Sequence, residues 1–132
     1  MSITLAQAEK LINTAKEKAL VLHCHVNIAV VDASGNLVVF ARMDGSWLGG
    51  IDIAIKKAKT AFNFGKNTDI LAKRSQPKEP VYAIDHSNGG LITASGGMPI
   101  KNCDDTIIGG VGVSGSSVEN DLTVAGAGVK AM

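Results

Sequence analysis

The chain has 132 residues, enough for one domain with one core and too few for two ordinary ones. Charged residues make up 19%, below the roughly 25% usual in soluble domains, apolar residues reach 45% and mean hydropathy is +0.19, a surplus that predicts a surface partly covered by another subunit. A net charge of +1 and five aromatic residues supply neither an electrostatic footprint for nucleic acid nor a platform for stacking bases.

Thr4 followed by Gln7 fits a capping box, and Leu5, Ala8, Leu11, Ile12, Ala15, Ala19 and Leu22 recur at helical spacing, so Leu5 to Val21 reads as an amphipathic helix. It meets the next element through His23-Cys24-His25 without the glycine that commonly ends a helix. Val26, Ile28 and Val30 alternate with Asn27, Ala29 and Val31, a period-two pattern of β-branched residues that predicts a strand ending at Asp32. Asp32-Ala33-Ser34-Gly35-Asn36 has the chemistry of a tight antiparallel turn, and Leu37 to Met43 returns as the second strand. This hairpin is the centre on which the rest is expected to pack.

A second helix is predicted over Ile51 to Phe64, ended by Gly65, and a third over Asp69 to Arg74, capped by Thr68. Pro77 and Pro80 then break regular structure. Leu91-Ile92-Thr93-Ala94 reads as a short strand, Ser95-Gly96-Gly97 as a turn, and Met98 to Lys101 as the next strand, with Pro99 marking a sheet edge or bulge. Thr106 to Ser114 is the last strand. Its Gly109, Gly110 and Gly112 lack side chains, which predicts that a helix, ligand or second backbone lies flat against it. Ser116 and Glu119 repeat the capping-box pattern before a final helix striped by Val118, Leu122, Ala125 and Val129. The order α-β-β-α-(α)-β-β-β-α, with neighbouring strands joined by short turns, predicts a single α+β domain over residues 1–132 built on a five-stranded antiparallel sheet with flanking helices.

The apolar runs fall well short of the roughly 18 residues of a membrane span, and no basic stretch followed by a hydrophobic segment opens the chain, so the expected compartment is the cytosol. Cys24 and Cys103 are accordingly expected as free thiols.

Chemistry-bearing residues are few. If His23-Cys24-His25 is extended, both imidazoles leave one face and the thiol leaves the other, so either histidine or both can approach a common metal. Histidine is the commonest proximal ligand to haem iron. The alternative is that these histidines merely close the first helix at the surface. A zinc site would need further ligands that do not follow at motif spacing. Lys56, Lys57, Lys59, Lys66, Lys73 and Arg74 make the middle of the chain basic, either as a solvated face or as the surroundings of an anionic ligand or carboxylate-bearing cofactor. Asp85-His86-Ser87 contains the residue types of a hydrolytic triad, but adjacent positions cannot hold that geometry and no nucleophile elbow occurs, so it reads as a polar loop. The glycine groups lack the spacing of a dinucleotide or phosphate loop.

Several stretches together resemble the GlcG/HbpS family of small haem-binding proteins, which includes the PduO C-terminal domain and was long known only as a domain of unknown function. They are Leu5 to Glu9, Ile28 to Asp32 with Gly35-Asn36-Leu37, Arg42-Met43-Asp44, Asp52-Ile53, Lys57-Ala58, Thr60-Ala61, Gly96-Gly97-Met98-Pro99 and Ile108 to Gly115, followed by Glu119 and Asp121. The resemblance implies a profilin-like fold, assembly into dimers or larger homo-oligomers such as octamers, and haem as the tetrapyrrole ligand. Joined to the residues, it places haem against the sheet edge or between subunits. His25 or His23 is then the expected iron ligand, His23-Cys24-His25 the cofactor-binding segment, and Arg42 or a lysine such as Lys57 the expected neighbour of the propionates. The function it implies is a redox, sensing or accessory factor in diol, glycolate or corrinoid metabolism. A haem- or corrinoid-processing enzyme and a cofactor-free assembly subunit are the alternatives.

Overall fold

The computed structural model describes residues 1–132 throughout. Helix α1 (Leu5–Val21) opens at the expected capping box: Thr4 Oγ1 accepts from the Gln7 amide at 3.1 Å and Gln7 Oε1 accepts from the Thr4 amide at 2.9 Å. Its buried stripe is Ala8, Leu11, Ile12, Ala15 and Ala19. The helix ends in a paired-carbonyl closure, with the Cys24 amide donating to Ala19 O at 2.8 Å and the His23 amide to Leu20 O at 3.1 Å. That closure needs a left-handed residue, and His23, with φ of 56°, fills the place glycine usually takes.

Strands β1 (Asn27–Asp32), β2 (Leu37–Arg42), β3 (Gly97–Lys101) and β4 (Ile107–Ser114) form one antiparallel sheet in the order β2-β1-β4-β3. The predicted hairpin turn joins β1 to β2: Asp32 Oδ1 accepts from the Ser34 and Asn36 amides at 2.9 and 3.0 Å, and Gly35 has φ of 77°. The period-two pattern of β1 divides between two layers. Val26, Ile28 and Val30 join Leu11, Ile12, Val111 and Val113 in the main core under α1 and α4 (Val118–Lys130). Ala29 and Val31 face the other way, onto Ala54 and Ala58 of α2 (Gly50–Phe64). The sheet is thus covered on both faces.

Helix α2 lies flat on two of the three glycines of β4, while a Cβ on Gly109 would meet Val31 O and Ile3. A Cβ on Gly112 would meet Ala54 O and Ala58 N, and one on Gly110 would meet Ala58 O. Gly65, with φ of 62°, ends α2 as predicted.

The sheet has four strands, where the sequence led to five. Leu91 to Ala94 joins no ladder because its backbone groups are taken elsewhere. The Leu91 amide donates to Asp85 O at 2.8 Å, the Ile92 amide to Thr60 Oγ1 at 3.3 Å, and Ala94 O accepts from Thr68 Oγ1 at 2.6 Å. Thr68 therefore does not cap α3 (Thr68–Arg74) but opens it; Asn67 is the capping position, and the Thr68 hydroxyl also accepts from the Gly97 amide at 2.9 Å. The cap of α4 shifts the other way, one residue later than expected: Ser117 Oγ accepts from the Asn120 amide at 3.1 Å. Pro99 does lie on an edge strand, β3. No helix is long and apolar enough to cross a membrane.

Candidate functional site

The polar and reactive side chains collect at one end of the sheet, where β1 begins and β2 and β4 finish. Asn27 pairs with Arg42 on one side and Ser114 on the other. It is fully buried, donating from Nδ2 to Trp47 O at 3.0 Å and accepting from Ser46 Oγ at 3.2 Å. Ser114 Oγ donates to Gly50 O, and a Cβ on Gly50 would press on both Asn27 Nδ2 and Ser114 Oγ. These bonds fix the start of α2 to the sheet and leave Trp47 and Leu48 exposed beside it.

Just before Asn27 comes the histidine tripeptide. It is not extended, since His23 occupies the left-handed turn, yet the division of its side chains is the one the alternation predicted. His23 and His25 are exposed, and Cys24 is 5% exposed. Cys24 Sγ lies 3.3 Å from Ser116 Oγ, accepts from Asn120 Nδ2 at 3.3 Å, and is 3.5 Å from Leu22 O. The thiol thereby ties the tripeptide to the start of α4. Leu20 and Val21, in the last turn of α1, and Val118, at the start of α4, expose apolar surface on the elements that flank it. Arg42 is exposed at the end of β2 and forms no ion pair, and the next amide, that of Met43, donates to Val26 O at 3.0 Å.

Lys57 lies elsewhere than beside these residues. Its side chain is 3% exposed, with Nζ 3.2 Å from Asp121 Oδ2 and donating to Val113 O at 2.8 Å. It reaches α4 from α2 past the end of the sheet, and glycines clear its path. A Cβ on Gly96 would lie 2.9 Å from Lys57 Nζ and 3.0 Å from Asp121 Cβ, and one on Gly112 2.9 Å from Lys57 Cβ. Burial pushes the Lys57 ammonium below its ordinary pKa and the Asp121 carboxyl above its own, against the opposing pull of each charge on the other. Asp121 Oδ1 accepts from the Ser116 amide at 3.1 Å. A chain of contacts therefore runs Lys57, Asp121, Ser116, Cys24, from the buried face of α2 to the backbone that carries the histidines. Asp121, Ser116 and Asn120 were not singled out as site residues by sequence reasoning. The signal that could have found them is the acidic residue in the first turn of α4, facing a lysine whose neighbours are glycines.

The remaining candidates stand apart. His86 is exposed in a short 3₁₀ turn (Ile84–His86), and Ser87 Oγ donates to Ile84 O at 2.6 Å rather than to the imidazole, so no triad forms. Cys24 and Cys103 are both free thiols, the first buried and the second exposed. Nowhere do three His, Cys, Asp or Glu side chains converge as metal ligands. None of the three surface cavities is lined by His23, His25, Arg42 or Lys57.

A three-layer α+β domain with paired exposed imidazoles at one end of its sheet is the class this architecture defines. The sequence matches the family described as "Haem degrading protein HbpS-like" over residues 3–130, and the chain belongs to that family. It is 34% identical over 125 residues to a 15.0 kDa protein encoded in the dhaT-dhaS intergenic region of Citrobacter freundii, covering 94% of this chain and 87% of that one. It is 32% identical over 133 residues to the corrinoid adenosyltransferase PduO of the same organism, covering all of this chain but 39% of PduO. The crystal structure of a PduOC:haem complex superposes with a TM-score of 0.94 at 32% identity, covering 100% of this chain and 96% of that one.

Proposed function

We propose that this protein binds haem at the histidine-bearing end of the sheet, with His25 or His23 as the iron ligand, at a surface that a second copy helps to wall. The observation that carries the reading is the pair of exposed imidazoles bordered by exposed Leu20, Val21 and Val118, in a chain 32% identical over its whole length to a protein crystallised with haem. A porphyrin brings four nitrogen donors of its own, so it asks the protein for one or two axial ligands rather than a converging cluster. The residues fit that demand. His23 and His25 offer the imidazoles, Arg42 offers an unpaired cation for a propionate, and the apolar rim offers contact for the ring. Bound iron porphyrin would supply redox chemistry. The chain's own part is to aim the imidazoles, and the inward Cys24, held by Ser116 and Asn120, anchors the segment that does so.

A domain of this size would spend much of its core enclosing a porphyrin alone, which supports a site shared between copies in a homo-oligomer. The likeness to a corrinoid adenosyltransferase supports an accessory role near corrinoid metabolism, and the family's description favours breakdown of haem as the second reading. Hemin titration followed by visible spectroscopy tests the ligation, with His23→Ala, His25→Ala and the double variant measured separately. Loss or displacement of the Soret band in one single variant identifies the ligand; an unaltered band in the double variant refutes the proposal. Consumption of hemin in the presence of a reductant would select the second reading.

A further inference from the structure

Away from the histidines, two cavities of about 380 and 560 Å³ adjoin along β3, sharing Asn67 and Met98 in their walls. Lys66 and Lys101 line the smaller, Lys18 and Lys130 the larger, and no aspartate or glutamate lines either. The chain has three carboxylate ion pairs, of which only Lys101–Asp105, at 3.2 Å, involves a lysine of this cleft. In a molecule of net charge +1, this is a local excess of positive charge. Met98, Val129 and Leu122 give the cleft an apolar middle between the two lysine pairs.

A β-strand is a poor occupant. The Val113 amide donates to Gly96 O, so by antiparallel alternation Gly97, Pro99 and Lys101 turn their backbone groups outward from β3. The Gly97 amide is already bonded to Thr68 Oγ1, and Pro99 has no N–H, so two successive outward donors are missing. The helix wall carries a different clue. Gly128 of α4 is required by packing, because a Cβ there would lie 2.8 Å from Leu11 Cδ2. Gly126 has no such need: a Cβ would meet only Met98 Sδ, at an ordinary 3.8 Å. Glycine inside a helix is unfavourable, and here it widens the cleft instead of admitting a neighbour.

We infer that this cleft is a second ligand site, independent of the histidines, for an apolar organic dianion carrying a carboxylate towards each lysine pair. Its chemistry needs no metal. Stilbene-4,4′-dicarboxylate, an apolar body with a carboxylate at each end, is the probe, followed by its fluorescence in titrations of the full chain. The expected results are binding that weakens as salt rises, a loss of at least about tenfold in affinity for Lys18→Glu with Lys130→Glu, and a comparable loss for Gly126→Leu. Gly126→Ala should melt higher than the native chain and bind the probe more weakly, which separates a filled cleft from a damaged fold. His23→Ala with His25→Ala should bind the probe as the native chain does. Failure of the native chain to bind, native affinity in the charge-reversed variant, or loss of binding in the histidine variant would each overturn the inference. The last two leave the haem reading standing, since that is judged on the Soret band.

Discussion

The Lys57–Asp121 pair gives the sharpest energetic test of how the three layers are held. Both side chains are 3% exposed and their charged atoms lie 3.2 Å apart. Asp121→Asn removes the anion and leaves a buried ammonium with Val113 O as its remaining partner. Breaking one side of such a pair costs about 3–5 kcal/mol, a large share of the roughly 5–15 kcal/mol that holds an ordinary domain together. Replacing both partners, as Lys57→Met with Asp121→Asn, removes both charges while the asparagine can still accept from the Ser116 amide, so most of that loss should be recovered. The pH dependence has a definite sign. Burial holds the folded Lys57 below its ordinary value of 10.5, so the unfolded chain binds the extra proton, and stability rises with pH between the folded and the unfolded pKa. Asp121→Asn deepens that depression, and its penalty should shrink as pH climbs towards about 10. Urea unfolding followed by circular dichroism, at neutral and at alkaline pH, reads all three quantities. A cost below about 1 kcal/mol for Asp121→Asn, or a double variant no more stable than Asp121→Asn alone, would refute the reasoning.

Two further outcomes follow from local geometry. His23→Gly relieves a left-handed non-glycine residue at the end of α1, so the melting temperature should hold or rise, by no more than about 1 kcal/mol in stability, whereas His23→Ala keeps the strain; a clear loss of stability in the glycine variant would mean that the ring makes contacts the fold needs. Thr68→Val deprives Ala94 O of its donor and the Gly97 amide of its acceptor, an expected cost of about 1–3 kcal/mol for the buried amide and less for the half-buried carbonyl. Native-state hydrogen exchange should show the Gly97 amide opening faster, and unchanged protection there would count against the account of Leu91 to Ala94.

What was legible in the chain is what local chemistry decides. The capping box at Thr4 and Gln7, the turn at Asp32 to Asn36 and the alternation of Val26 to Val31 each bind partners a few residues away or repeat with a fixed period, so the sequence displays them. The glycines of β4 were readable as a demand for close approach, which α2 meets at Gly110 and Gly112. The fifth strand was misread because an apolar run states only that it wants burial; the hydroxyls of Thr60 and Thr68, some 30 residues upstream, decide that it is not a ladder. Ser116 and Ser117 fit a cap equally well by type, and the choice falls to Ser117 because Ser116 Oγ faces Cys24 Sγ and Asn120 Nδ2 instead of a helix amide. Lys57 sits among Lys56 and Lys59, and nothing in that spacing tells which ammonium turns inward; the room left at Gly96 and Gly112 does.

Gly96 and Gly112 clear the path of Lys57, Asp121 holds its ammonium, and Gly110 seats α2, so these residues form the apparatus that binds three layers together. His23, Cys24 and His25 lie apart from these residues, on a surface that the same apparatus supports through Ser116 and Cys24. A scaffold of this kind fixes where a ligand-bearing segment is displayed and leaves free which side chains it displays. Substitutions at Lys57 or Asp121 should therefore alter haem binding only as far as they loosen the start of α4, whereas substitutions at His23 or His25 should alter it with the fold intact. Paired measurements of melting temperature and hemin affinity across those four positions separate the two: if affinity falls in step with stability at all four, the histidines have no role as ligands beyond that of the scaffold.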